Sequence, residues 1–411
     1  MFKHVRGACL RLHRWFGLAG AAFLVLVGLT GSVLAFYEEL DAWVNPQFLA
    51  PARPDQAPLD LAALAARAQR LAPEAQVVEA TWRNQGRQAE IRVRPWPDGM
   101  PPDLAFDSIL LDPWTGEELG RRTWGDIRQG RVNLLPFIYR LHYELAVGQP
   151  GLMLLGLVAL GWTLDCFIGL LLTLPMPAPR TSPHKHAKGF WSRWAPAWQI
   201  RHPASGTRRL FDLHRAFSLW CWAVLLVFAW SSVSFNLPSV YEPVMRALSG
   251  YQAPAAVAIS HMETNTGLSA PASWPQALAR ARALMAEQAT RQGFAVDREV
   301  MLRFLPDDAI WLYRTRSERD VLERRGATDL YFNAVTGDLV KLRLPTGSQA
   351  GETVTHWLYA LHVADVWGWP WRFAVAALGI IVVMLSVTGC IIWMRKRGAR
   401  RGRPGHGVKQ E

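Results

Sequence analysis

Four apolar stretches constrain this chain more than any other feature. Trp15–Tyr37 runs 23 residues without a charge, and Ala216–Leu237 also has none. Gly151–Leu174 contains only Asp165, and Trp371–Met394 only Arg372 at its edge. A hydrocarbon core roughly 30 Å thick is crossed by about 20 apolar helical residues, so each stretch is long enough. Buried helices of soluble proteins rarely run this far without charge. The expectation is a four-helix transmembrane bundle. Lys3, Arg6, Arg11 and Arg14 precede the first stretch, and Ser32-Val33-Leu34-Ala35 resembles a signal cleavage site. The stretch is long for a signal peptide and its pattern recurs at the third stretch, so it is read as a retained helix.

The formal net charge of +12 over 411 residues would point to nucleic acid in a soluble protein. Its distribution argues otherwise. Residues 1–14 carry four Lys/Arg, 175–210 carry seven, and 395–411 carry seven against Glu411, leaving about −5 elsewhere. Basic residues near span ends face the cytoplasm. Both termini are therefore expected there, with two large segments exported and no nucleic-acid partner. The layout is an N-terminus with the first helix (1–37), an exported domain (38–150), a second helix (151–174) and a basic loop (175–210). A third helix (211–237), a second exported domain (238–369), a fourth helix (370–394) and a basic tail (395–411) follow. Cys9, Cys166, Cys221 and Cys390 lie in or beside spans, so the exported segments have no disulfide framework. This pattern fits a multi-pass protein of a bacterial inner (cytoplasmic) membrane with periplasmic domains, its surroundings a lipid bilayer.

The halves repeat. Leu12-His13-Arg14-Trp15-Phe16-Gly17 recurs as Leu213-His214-Arg215-Ala216-Phe217-Ser218. Phe137-Ile138-Tyr139-Arg140-Leu141-His142 recurs as Trp357-Leu358-Tyr359-Ala360-Leu361-His362. Gly169 recurs as Gly389, and Asp112–Glu117 recurs as Asn333–Asp338. The order is the same in both halves and both start on the same side, which is a parallel internal duplication. Each exported segment reads as a small α+β unit. In the first, Leu59–Leu71 has helix periodicity, with strands at Val77–Trp82, Glu90–Val93 and Ile109–Leu111 and a further strand after a Thr-Gly turn. In the second, the helix is Trp274–Gln292, with strands at Val300–Phe304, Ile310–Thr315 and Leu330–Phe332 and a turn at Val335–Asp338.

Four of the eleven histidines fall at repeat-equivalent places beside spans: His13, His142, His214 and His362. Neutral imidazole is a good iron ligand, and two histidines from facing helices hold a b-type haem without a covalent link. Two pairs at opposite faces, His13 with His214 and His142 with His362, would hold two haems and carry single electrons across the membrane. The plainer alternative is interfacial histidines that cap helices or meet lipid headgroups. His356 is an alternative ligand, ranked lower because it has no first-half counterpart and lies six residues from His362. Pro150 and Pro370 favour a kink or a separate surface helix ahead of the second and fourth spans. Asp165, the one acid inside a span, reads either as a proton relay or supporting partner near a cofactor, or as a hydrogen-bonded structural residue. The loop with His184, His186, His202, Trp191, Trp194 and Trp198 reads as a lipid-anchoring segment or a donor docking site. No nucleotide-binding loop and no Ser/His/Asp arrangement is present.

These residues resemble the PepSY-associated transmembrane family, which includes inner-membrane ferric-siderophore reductases and iron-regulated membrane proteins. The resemblance rests on Leu12–Gly17, Asp212–Arg215, Leu141-His142, Leu361-His362, Asp165–Gly169 and the two Thr-Gly turns. It implies two PepSY-like periplasmic domains, two haems on His13, His142, His214 and His362, and oxidoreductase activity. The implied enzyme takes electrons from a quinol or a cytoplasmic flavoprotein and reduces Fe(III) held by a siderophore, serving iron uptake. The competing expectation is a PepSY-domain binding or regulatory protein, or a siderophore transport component, without redox chemistry.

Overall fold

The computed structural model describes residues 2–97, 104–176, 189–251 and 271–401. In chain order its helices are α1 (Phe2–Leu34), α2 (Tyr37–Val44), α3 (Leu61–Leu71), α4 (Leu134–Glu144), α5 (Gln149–Thr173), α6 (Phe190–Trp194), α7 (Gly206–Trp220), α8 (Trp222–Asn236), α9 (Pro238–Ser249), α10 (Trp274–Gln292), α11 (Ala350–His362) and α12 (Gly368–Arg401). The strands are β1 (Ala75–Arg83), β2 (Gln88–Pro95), β3 (Ser108–Leu111), β4 (Glu118–Arg122), β5 (Val296–Leu305), β6 (Ile310–Ser317), β7 (Thr328–Asn333) and β8 (Leu339–Arg343). They form two compact units. One comprises residues up to Ala35, Leu141–Tyr241 and Phe373 onward; the other comprises Phe36–Arg140 and Glu242–Arg372.

In the helical unit α1, α5 and α12 are each long and apolar enough to span a bilayer. The third expected span is not one straight helix. It is broken at Cys221 into α7 and α8, which meet at 71°, and it counts as a fourth span only if the bent pair is taken together. No proline or glycine marks the break. The difference arises because the first turns of the apolar stretch, Ala216–Trp220, belong to an amphipathic helix that also carries Arg208, Asp212 and Arg215. Asp212, fully buried, accepts from Arg215 at 2.9 Å and Arg208 at 3.3 Å. Beyond the break, Trp222 Nε1 donates to the Cys166 carbonyl of α5 at 2.9 Å.

Small residues let α1 and α12 approach backbone to backbone. A Cβ at Gly28 would lie 2.7 Å from the Gly379 carbonyl oxygen, and one at Gly379 would strike Ser32 Oγ and the Gly28 carbonyl. Ser32 Oγ donates to the Ala376 carbonyl at 2.9 Å. This is the close packing that small residues permit between membrane helices.

In the other unit the strands make one antiparallel sheet, ordered β4-β3-β2-β1-β5-β6-β7-β8. The two segments expected as separate α+β domains are therefore joined. β1 pairs with β5 in the register Glu79↔Arg303, Ala80↔Leu302, Thr81↔Met301, and α3 and α10 cover the same face over one core. The order is symmetric about the β1–β5 pair. The physical reason for joining is that each half alone would leave a long unpaired strand edge. Residues 141–150, expected with the first exported domain, cluster with the helices instead.

Local chemistry explains the elements. Asp60 caps α3 by accepting from Ala63 N at 2.8 Å. Ser273 and Gln276 form a capping box at the start of α10, which ends at left-handed Gly293 (φ 65°). The two Thr-Gly turns are built alike. Asp112 accepts from the backbone of Trp114 and Thr115, as Asn333 does from Val335 and Thr336. β8, which follows the second turn, was not among the expected strands. The sheet face away from α3 and α10 is charged, yet Glu79, Glu90 and Asp329 on it are buried. Glu79 pairs with Arg303, Glu90 with Arg83, and Asp329 with Arg314.

Candidate functional site

His13 lies on α1 and His214 on α7, and the structure brings them together. Their ring centres are 6.1 Å apart with planes at 71°. Asp165 of α5 holds His13: its two oxygens lie 2.8 and 3.0 Å from Nδ1. A carboxylate only accepts, so His13 Nδ1 donates, and in the neutral imidazole the lone pair sits on Nε2. His214 Nδ1 lies 3.1 Å from Thr388 Oγ1 of α12. That hydroxyl donates its own proton to the Met384 carbonyl at 2.7 Å, so it accepts from Nδ1 and again the lone pair is on Nε2. Gly389 gives the ring room; a Cβ there would lie 3.4 Å from His214 Cε1.

Both imidazoles line a cavity of about 610 Å³ among α1, α5, α7, α8 and α12, inside the range of about 300–1,000 Å³ typical of ligand sites. Its walls include Phe16, Leu24, Trp162 and Trp222. Arg14, Arg215, Lys396 and Arg397 line it too.

His142 is on α4. Leu145 and Ala146 (φ 55° and 56°) and Gly148 (φ 72°) break the chain before α5 starts at Gln149, as Pro150 suggested. His142 Nδ1 lies 2.9 Å from Thr30 Oγ1, whose proton goes to the Leu26 carbonyl at 2.8 Å. A Cβ at Gly31 would lie 3.1 Å from His142 Cε1. A Thr-Gly pair within a span thus cradles His142 exactly as another cradles His214. His142 belongs to the helical unit; His362, the last residue of α11, belongs to the other.

His356 sits on α11, 7% exposed, with its Nε2 unpartnered. Burial, aided by the Arg343 charge, pushes its imidazole down to about 4, so it is neutral at pH 7. Its ring stacks 6.4 Å from that of Tyr359. His184 and His186 lie outside the described residues.

Thr30 and Thr388, the hydroxyls that fix two imidazoles, were not singled out from the sequence. Their signal is the Thr-Gly dipeptide that occurs inside both α1 and α12. Among the described residues no group of three or more His, Cys, Asp or Glu could hold a metal ion. A pair of imidazoles with Nε2 lone pairs suits a metal whose remaining positions are filled by a macrocycle. Two imidazoles bonded to one iron at about 2 Å hold their ring centres roughly 6 Å apart. The His13–His214 pair and the glycine cradle fit that requirement.

Long apolar helices, a half-buried histidine pair among them and a separate antiparallel sheet unit define a membrane protein. The family described as PepSY-associated TM region matches residues 10–396. The chain belongs to that family. No curated protein matches it.

Proposed function

We propose that this protein is a di-haem oxidoreductase of the bacterial inner membrane that moves electrons across the bilayer and reduces Fe(III) bound to a siderophore on the periplasmic side. The observation that carries the reading is the His13–His214 pair, with both Nδ1 atoms committed and both Nε2 lone pairs available in one apolar cavity. Bound haem supplies a one-electron iron couple. The chain supplies the rest. Asp165 orients His13 and strengthens it as a donor, as carboxylates behind ligating histidines do. Thr388 with Gly389, and Thr30 with Gly31, set the rotations of His214 and His142. Arg14, Lys396 and Arg397 offer cationic partners for carboxylates at one end of the cavity, and Phe16, Trp162 and Trp222 exclude water from the other walls.

His142 and His362 are assigned as the second ligand pair, with His356 the alternative. The basic segments 1–14, 175–210 and 395–411 support a cytoplasmic side for the His13–His214 pair, where a quinol or flavoprotein would deliver electrons. Siderophores bind hard Fe(III) through oxygen, and one added electron gives Fe(II), which such ligands hold more weakly. The reaction needs an electron path and a docking place, and no covalent catalyst.

The test is the haem count of the purified full chain from haem-replete cells, with its reduced spectrum. Two b-type haems are expected. His13→Ala or His214→Ala should remove one, and His142→Ala or His362→Ala the other. A haem-free protein, or a spectrum unchanged by all four substitutions, would overturn the assignment. Formation of Fe(II) from a ferric siderophore by the reduced protein then tests the activity.

A further inference from the structure

One face of α7 gathers cations around a single ring. Arg208, Phe211, Asp212 and Arg215 follow one another at helical spacing, so they share that face. The Arg208 and Arg215 guanidiniums stand 5.8 and 5.3 Å from the centre of the Phe211 ring, and Lys396 Nζ of α12 stands 5.8 Å from it. Arg395 Nη1 donates to Thr207 Oγ1 at 3.2 Å, which holds the end of α12 beside the start of α7. Arg201, in the segment before α7, joins the group through an ion pair of 3.6 Å with Asp212.

Asp212 is the acid that pairs with these groups among the described residues, and it is fully buried. Four cationic side chains thus share one sealed carboxylate. Arg201 and Arg208 approach it through Nε, while 48% and 41% of their side chains stay accessible. Lys396 is exposed and has no acid partner among the described residues. Like charges held this close repel one another, and an anion from outside the chain removes that repulsion.

The cluster is tied to a band of aromatic rings. Arg215 Nη2 donates to the Pro196 carbonyl at 2.6 Å. Pro196 lies between Trp194 and Trp198, whose ring centres are 5.2 Å apart, and Trp191 sits 5.5 Å from Trp194 with 73% of its surface exposed. Trp194 Nε1 donates to Thr173 Oγ1 at 3.2 Å, at the end of the apolar helix α5. Cations beside amphipathic rings at the end of a span match a phosphate headgroup and the glycerol esters beneath it. A soluble phosphate gains from the cations and nothing from the rings.

We propose that Arg201, Arg208, Arg215 and Lys396 form a binding site for the phosphate of an anionic phospholipid, with Trp191 and Trp194 against its glycerol region. Asp212 and Phe211 hold the cations in place. Phe211, Arg215 and Lys396 also line the cavity, so the lipid site adjoins it, and it stands whether or not haem fills that cavity.

Native mass spectrometry of the detergent-purified full chain reads the binding, with phosphatidylglycerol, phosphatidylcholine and glycerol 3-phosphate as probes. Wild type should prefer phosphatidylglycerol to phosphatidylcholine, and excess glycerol 3-phosphate should not displace it. Arg201→Gln/Arg208→Gln, at residues outside the cavity wall, should weaken phosphatidylglycerol binding about tenfold or more, because each basic group near a headgroup adds its own attraction. Arg201→Lys/Arg208→Lys should keep most of the binding, since a phosphate accepts a point charge. Lys3→Gln/Arg11→Gln removes the same charge from exposed positions of α1 and should change nothing. The site is overturned by a wild type without preference, by a folded glutamine variant that binds as tightly as wild type, or by a folded lysine variant as weak as the glutamine one. An equal loss in Lys3→Gln/Arg11→Gln overturns it too, because net charge would then suffice. Displacement by glycerol 3-phosphate overturns the lipid as occupant. Should the glutamine variant not fold, the wild-type preference and the other two variants decide.

Discussion

Asp165 is an acid inside an apolar span, and its two oxygens at 2.8 and 3.0 Å from His13 Nδ1 give it a specific task. His214 and His142 are backed by neutral hydroxyls instead. A carboxylate makes its imidazole more electron-rich than a hydroxyl does. Under the proposed function, Asp165→Asn should therefore keep the wild-type haem content and move one midpoint potential upward, measured by spectroelectrochemical titration, while Thr388→Ser moves none. Two unmoved potentials in Asp165→Asn would refute the role. That Asp165 mattered was legible in the sequence, because acids inside spans are costly. Its partner was not, since residues 152 apart in sequence meet only through helix packing. Thr30 and Thr388 were hidden for a plainer reason: threonine is common in membrane helices, bonded to the carbonyl one turn back.

Glu90 gives a second residue-scale test. The Arg83 guanidinium, with Arg92 and Arg122 nearby, overcomes burial and holds its carboxyl down at about 2, against an ordinary value of 4.5. The folded state therefore favours the ionised form, and this stability is present above pH 4.5 and lost as pH falls toward 2. The shift corresponds to about 3 kcal/mol at most. His356 behaves differently: with its folded value near 4, stability falls between about pH 6.5 and 4 as the unfolded chain takes up a proton first. Acid unfolding curves should lose the lower limb in Glu90→Gln and the upper limb in His356→Phe. Identical curves for all three proteins would contradict these assignments.

At the scale of elements, the α1–α12 crossing depends on the missing side chains of Gly28 and Gly379. Gly28→Leu should lower the thermal midpoint of the detergent-purified protein, with a cost of about 1–3 kcal/mol typical of overpacking. Gly7→Leu, with nothing within 4 Å of its Cβ, should leave it unchanged. Equal midpoints would mean the helices separate freely there. Most elements were legible: α10 has the expected bounds, and the strands of both halves lie where β-rich runs sit between turns. The break at Cys221 was not. Hydropathy counts apolar residues and does not see that the first turns of that stretch continue an amphipathic helix, whose buried Asp212 ties it to Arg208 and Arg215.

For the whole molecule, the sheet unit is assembled from both halves of the chain through the β1–β5 pair and a core shared by α3 and α10. Periodicity within one half cannot reveal such pairing, because each half alone satisfies the pattern of a small α+β domain. Residues 36–140 expressed alone should therefore fail to give a dispersed, cooperatively unfolding monomer, whereas 36–140 joined by a flexible linker to 242–372 should give one. Circular dichroism with light scattering distinguishes the outcomes, and a stable monomer from 36–140 alone would show that the halves are independent.

The bend at Cys221 has a consequence for the surrounding lipid. The 15 residues of α8 are about 22 Å long, short of a hydrocarbon layer roughly 30 Å deep. A short apolar helix is matched by local thinning of the bilayer or by flanking side chains reaching outward. Trp220 and Trp222 flank its N-terminal end, the position that interfacial aromatic residues take at the ends of spans. α8 is therefore the span whose length is least matched to an ordinary bilayer, and the bend at Cys221 is what shortens it.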